Sequence, residues 1–331
     1  MNRLFLLFYL SIGCNILAAT SNAIIKEKVI ICGSCKNVAS CLPVMMPSIE
    51  EIGNLFIDYK VFVYENNSSD STVSTLKTWA QNNLKVHVIS ENFSQQQLFN
   101  LSKVHTWDGQ PFRTEVIAHA RNTLLEHALH PKLDEYSYVI MLDMDFRFPF
   151  DTQGIIDSFR QTIEWDAICA NGITDQKTTY DRYALRNKEK PLGPELLGDA
   201  WWDDIRTTSI SIEKNTPLVP VYSAFGGLAI YKRASIKGCH YSGIVTKELE
   251  SLTRKIILDN NSHSEIVKYF NRNDAVNTII LLSNEPGALK WICNSGGYEL
   301  PVCCEHVIFH AMMFHNNHGK IFINPKMVVQ Y

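Results

Sequence analysis

Short apolar runs alternate along the first half of the chain with longer stretches whose apolar residues recur every three or four positions. Residues 29–32 read as a buried strand, and residues 42–56 (LPVMMPSIEEIGNLF) carry a helical period after their prolines. Residues 59–64 (YKVFVY) predict a second strand, rich in β-branched and aromatic side chains. Residues 71–81 predict a helix, 85–89 (KVHVI) a third strand, 113–129 a long helix and 136–142 (YSYVIML) a fourth strand. This alternation predicts an α/β fold: a Rossmann-type, mostly parallel central sheet flanked by helices.

The second half is less regular. Residues 167–170 predict a short strand. Residues 175–204 read as a loop that includes the exposed-looking run Trp201-Trp202-Asp203-Asp204. Residues 224–231 (AFGGLAIY) predict a strand containing a glycine pair. Residues 246–270 read as polar and partly helical, and 303–314 (CCEHVIFHAMMF) as an apolar strand. No repeat or low-complexity segment divides the chain, so residues 24–331 are expected to form one domain.

Residues 1–23 stand apart. A small positive start (Met1 to Arg3) precedes the apolar run 4–19, and Ser21-Asn22-Ala23 offers small residues for cleavage. The pattern predicts a secretory signal peptide, or a signal anchor if uncleaved. The run is shorter than the ~20 apolar residues of a spanning helix, which favours cleavage. The expected location is the secretory pathway or outside the cell, with membrane contact only through an uncleaved start. Nine cysteines, eight of them after Ala23, permit disulfides there. Cys32 and Cys35 have metal-like spacing but no second pair, and Cys32 ends an apolar run, so a buried thiol is expected. Sequons at Asn66, Asn67, Asn92, Asn100 and Asn260 permit glycosylation. The net charge of -3 over 331 residues gives no support for nucleic acid as a partner.

Four constellations carry chemistry. Asp143-Met144-Asp145 follows the fourth predicted strand, at the carboxyl edge where open α/β sheets bind ligands. In extended backbone both carboxylates face one way, and they can share a hard divalent cation with diphosphate oxygens. The run Tyr64-Glu65-Asn66-Asn67 follows the second strand, where Glu65 or Asn67 can hydrogen-bond a base or ribose, while Asp70 or Ser71 caps the next helix. Arg113 and Arg121 share a helical face with Ile117, in position to hold phosphate. In the run from Cys304 to His310, read as a strand, His306 can complete a metal shell and Glu305 can contact an acceptor. A hydrogen-bonded core histidine is the competing reading of His306.

Taken together, YKVFVYENNSSDST, RTEVIAHARNTLL, YVIMLDMDFRF, SAFGGLAIYKR and CCEHVIFH resemble fungal-type mannosyltransferases of the capsule-synthesis and Golgi mannan groups, which have the GT-A fold. The resemblance implies a metal-dependent glycosyltransferase with a nucleotide-sugar donor, GDP-mannose favoured over a UDP-sugar, and a glycan or protein acceptor. It implies Mn²⁺, or Mg²⁺, on Asp143 and Asp145, and less directly on His306. Asp143 and Glu305 are then the candidate catalytic residues, with Glu65, Asn67, Arg113 and Arg121 around the donor. Two other classes remain. A secreted sugar-binding module would use Trp201 and Trp202 as stacking platforms. An Asp-x-Asp phosphatase would carry its pair after the first strand and follow it with Thr or Val, whereas here the pair follows the fourth strand and precedes Phe146.

Overall fold

A computed structural model describes residues 24–106, 108–259, 289, 291 and 300–331. The proposed signal segment and residues 260–270 lie outside the described residues. Eight strands form one sheet: β1 (Ile25–Cys35), β2 (Phe56–Asn66), β3 (Val86–Glu91), β4 (Tyr138–Asp143), β5 (Ala167–Ile173), β6 (Val219–Pro220), β7 (Leu228–Lys232) and β8 (Ile321–Gln330). The order is β3-β2-β1-β4-β7-β5-β8-β6. The first four strands and the β5–β8 pair are parallel, and β7 runs antiparallel between β4 and β5. The sheet is therefore mostly parallel and flanked by helices, as the alternation predicts.

Strand parity sorts the core into two layers. Ile30, Cys32, Phe62, Tyr64, Val139 and Met141 face one side, under α4 (Arg113–Ala128) and α9 (Glu305–His315). Val29, Ile31, Val61, Val63, Ile140 and Leu142 face the other, under α1 (Leu42–Asn54), α2 (Thr72–Asn82) and α5 (Thr152–Phe159). Parallel strands covered on both faces need apolar residues at every position, and β1 and β4 read that way. Gly154 of α5 lets that helix touch β8: a Cβ there would lie 2.2 Å from the Met327 Cα. The remaining helices are α3 (Gln95–Leu101), α6 (Pro194–Leu197), α7 (Asp199–Thr207) and α8 (Lys247–Asp259). None of the helices among the described residues is long and apolar enough to cross a membrane.

Three local expectations are corrected. The run 305–315 is a helix, not a strand. Every residue from Glu305 to Met313 is buried, and a helix enclosed on all sides shows neither the period of two nor that of 3.6. The glycine pair lies before β7 rather than within it, with Gly226 and Gly227 at φ +62° and +88°. A side chain on Gly226 would also come within 2.4 Å of the Ala170 carbonyl. Residues 175–204 are not all loop: α6 and the start of α7 lie there, and α7 buries Trp201 while Trp202 remains exposed. Cys32, Cys35, Cys41, Cys169, Cys239, Cys303 and Cys304 are free thiols; Cys14 and Cys293 lie outside the described residues.

Candidate active site

The sheet reverses its winding between β1 and β4: β2 and β3 extend to one side of β1, and β4 lies on the other. Diverging connections open a crevice at the carboxyl ends of such strands. A cleft of about 470 Å³ lies there, lined from β1 by Ser34 and Cys35, from β2 by Tyr64 and Asn66, and from β4 by Asp143, with Asp145 just beyond. Arg113, Ile117 and Arg121 of α4 line it as one face, three positions four residues apart. Glu305 and His306 enter from the first turn of α9, and Phe225 from the turn before β7.

Asp143 shares the parity of Val139 and Met141, which directs it to the α4 face. There its Oδ1 accepts from Arg121 Nη2 at 2.9 Å, and its Oδ2 accepts from the Tyr331 hydroxyl at 3.3 Å. The Asp143 backbone N–H donates to the Gly227 carbonyl. Arg121 is buried. Its Nε lies 3.4 Å from Glu305 Oε1 without hydrogen-bond geometry, and its guanidinium carbon sits 4.5 Å from the centre of the Phe225 ring. Burial opposes the arginine charge, and Asp143 and Glu305 more than restore it, so its pKa rises. Burial pushes Asp143 up to about 6 against the pull of Arg121, with Asp145 and Glu305 adding repulsion.

His306 stacks on Phe225, with ring centres 3.8 Å apart. Both its nitrogens lack a hydrogen-bond partner, and burial, Arg121 and His310 hold it neutral, well below its ordinary pKa. His310, one turn further, is bonded to Ser223 and Tyr231 and is pushed down to about 3 by burial.

Sequence reasoning missed one carboxylate. Asp181 lines the cleft at φ +59°, with the Gly226 backbone N–H close enough to favour its charged form. Burial pushes it up to about 7, assisted by Glu305 and Asp143 and opposed by Arg121. It lies in an irregular stretch without periodicity, so its sequence neighbourhood gave no signal.

The sequence profile of the Anp1 family matches residues 14–192, more than half of the 331-residue chain. The chain belongs to the Anp1 family. This is a glycosyltransferase family. The match includes Glu65, Asn67, Arg113, Arg121, Asp143, Asp145 and Asp181, whereas Glu305 and His306 lie beyond it. No curated protein sequence matches the chain. Among solved structures, it is similar to the mannosyltransferase PcManGT from Pyrobaculum calidifontis in complex with GDP-Man and Mn²⁺. That alignment has 17% identity and a TM-score of 0.38, over 65% of this chain and 48% of that one. It is also similar to TarS from S. aureus, at 12% identity and a TM-score of 0.37, over 70% and 56% of the two chains. A third is glucosyl-3-phosphoglycerate synthase from Mycobacterium tuberculosis in complex with UDP, at 11% identity and a TM-score of 0.33, over 64% and 59%. The chain thus spans about half to three fifths of each of these structures.

The chain brings Arg113, Arg121, Asp143, Asp145, Glu305 and His306 to one cleft, but not Glu65 or Asn67. Parity explains the first: Tyr64 and Asn66 face α4, so Glu65 between them points to the other layer, where Ser68 N–H and the Ser90 hydroxyl donate to it. Asn67 leaves the strand at φ +51° and spends its side chain on Asn92 and Phe93. Asn66, also a sequon position, is the amide that lines the cleft. Asp70, not Ser71, bonds the Thr72 N–H at the start of α2. Among the described residues no three His, Cys, Asp or Glu side chains converge as a ligand set. The expected trio of Asp143, Asp145 and His306 therefore shares the cleft but forms no joint shell.

Proposed function

We propose that this protein is a glycosyltransferase that moves a hexose, mannose favoured, from a nucleotide-sugar donor to a glycan or protein acceptor. The observation that carries this reading is the cleft itself: an Asp-x-Asp pair at the switch point of the sheet, one member anchored on a buried arginine and the other free.

The donor set fits a hard divalent ion held by one protein carboxylate and by phosphate oxygens. Asp145 is exposed and has no bonding partner among the described residues, whereas Asp143 is engaged by Arg121 and Tyr331. Asp145 is thus the direct ligand of Mn²⁺ or Mg²⁺ in this reading, and His306, stacked on Phe225, is not. When bound, the ion supplies positive charge to the leaving diphosphate.

The chain's own residues do the rest. Exposed Arg113 and Lys36 line the same cleft and bring cations toward phosphate. Tyr64 and Asn66 face the base and ribose. Arg121 holds Asp143 and Glu305 in place and offsets part of their shared negative charge. Glu305, at the first turn of α9, faces the acceptor side. A phosphatase would need the first aspartate as a free nucleophile, and here both its oxygens are occupied. The location proposed is the secretory pathway or beyond it, through residues 1–23.

Calorimetry with GDP, UDP, GDP-mannose and UDP-glucose, each with and without Mn²⁺, tests the reading. Mn²⁺-dependent nucleotide binding with donor hydrolysis is expected. Binding of mannosides alone, with no nucleotide affinity, would instead favour a sugar-binding module.

A further inference from the structure

The cleft is polarised by charge. Its uncommitted cations, Lys36 and Arg113, are exposed at the mouth. Arg121 lies eight residues, roughly 12 Å, further along α4. There the one buried guanidinium already serves two carboxylates, Asp143 and Glu305. Asp181 is a third carboxylate at this inner end. It has no ion-pair partner among the described residues, and the nearby Gly226 N–H favours its charged form. Its charge is opposed by burial and by both neighbouring carboxylates, so an anionic ligand group is repelled from this end of the cleft.

A partly buried carboxylate without a cation is costly, and such a group is satisfied by hydroxyl donors. The walls beside it are aromatic: Tyr180 and Tyr183 line the cleft on either side of Asp181 in sequence. Aromatic walls and a carboxyl group that accepts hydrogen bonds together suit a neutral pyranose, which offers C–H groups and hydroxyl donors. The backbone is set for this placement. Asp181 adopts φ +59°, a conformation that few side chains other than Asn and Asp tolerate, and the positive-φ turn at Gly226 lies beside its carboxylate.

We propose that Asp181 is a specificity-determining residue that accepts the hydroxyls of a hexopyranose bound at the inner end of the cleft, away from the phosphates. This rests on the nucleotide-sugar reading above. The sugar is either the donor's own hexose or the acceptor's, and the test separates the two.

Asp181→Asn keeps the positive φ and a side chain of the same size with an acceptor oxygen, so the fold is retained. Asp181→Gly keeps the backbone and removes the polar group entirely. Calorimetry in Mn²⁺ would compare GDP, GDP-mannose, and methyl mannoside added to the GDP complex. Both variants should bind GDP as the parent does. Asp181→Asn should weaken one sugar-bearing ligand about tenfold, the difference between a charged and a neutral hydrogen bond, and Asp181→Gly should weaken it further. Selective loss with GDP-mannose assigns the donor's hexose, and selective loss with the mannoside the acceptor's. Equal loss for GDP and the sugar ligands, or no loss for either sugar, would overturn the assignment alone. A parent protein that binds neither GDP nor GDP-mannose would overturn it together with the proposed function.

Discussion

A guanidinium buried beside two carboxylates is committed before any ligand arrives, and Arg121 is such a group. From sequence it reads as a phosphate-binding arginine; in the fold it is the counter-ion of Asp143 and Glu305 and packs on Phe225. Arg121→Met should therefore destabilise the protein by about 3–5 kcal/mol, because it leaves two carboxylates without their partner. Urea unfolding measures this, and a loss under about 1 kcal/mol would show that the carboxylates find other support. Asp145→Asn should behave oppositely. The residue is exposed and unbonded, so the metal-free melting temperature should not move, while Mn²⁺-dependent nucleotide binding and turnover should vanish. Retained Mn²⁺ response in that variant would remove Asp145 from the metal site. At this scale the sequence was legible where chemistry sits on a regular element, as with Arg113, Arg121 and the Asp-x-Asp pair. It was misleading where one residue of register decides the face, as with Glu65 and Asn67 against Asn66. It was silent at Asp181, which sits in an irregular stretch with no local period.

Among the elements, α9 departs most from the pattern that encodes it. Being buried all round, it reads equally as strand or helix, and its histidines read equally as ligands or core. The structure makes His310 a core residue bonded to Ser223 and Tyr231. Its folded pKa of about 3 lies below the unfolded value of about 6.5, so only the unfolded chain takes up its proton. The stability that His310 contributes is thus fully present above pH 6.5 and is lost as pH falls toward 3, at up to about 1.4 kcal/mol per unit. Asp143 and Asp181, whose folded values are raised to about 6 and about 7, act in the opposite sense over part of that range. A pH scan of the parent alone would mix the two. The stability gap between the parent and His310→Gln should narrow from pH 7 to pH 4.5, and a gap that is constant or widens would contradict a neutral buried His310. The contact between α5 and β8 gives a second element-scale expectation. Gly154→Ala forces a methyl into the β8 backbone and should cost about 1–3 kcal/mol, read as a lowered melting temperature.

For the molecule as a whole, the first half was legible because each parallel strand returns through a helix of its own, which imposes alternating periods on the chain. The second half was not, because its strands are recruited out of order. β7 inserts antiparallel between β4 and β5, and β8 pairs with β5 across about 150 residues of chain. No local period records such pairings. β8 also runs between β5 and β6, so it is an interior strand of the sheet that is synthesised long after its neighbours. On a translating ribosome, β5 would emerge with both edges unpaired; β7 would cover one, and the other would wait for most of the second half before β8 arrived. Long-range parallel pairing is slow, and an open edge invites other strands. The nascent chain therefore has an extended interval of vulnerability, and resistance to protease digestion should appear only once residues 321–330 are free of the exit tunnel and can pair with β5.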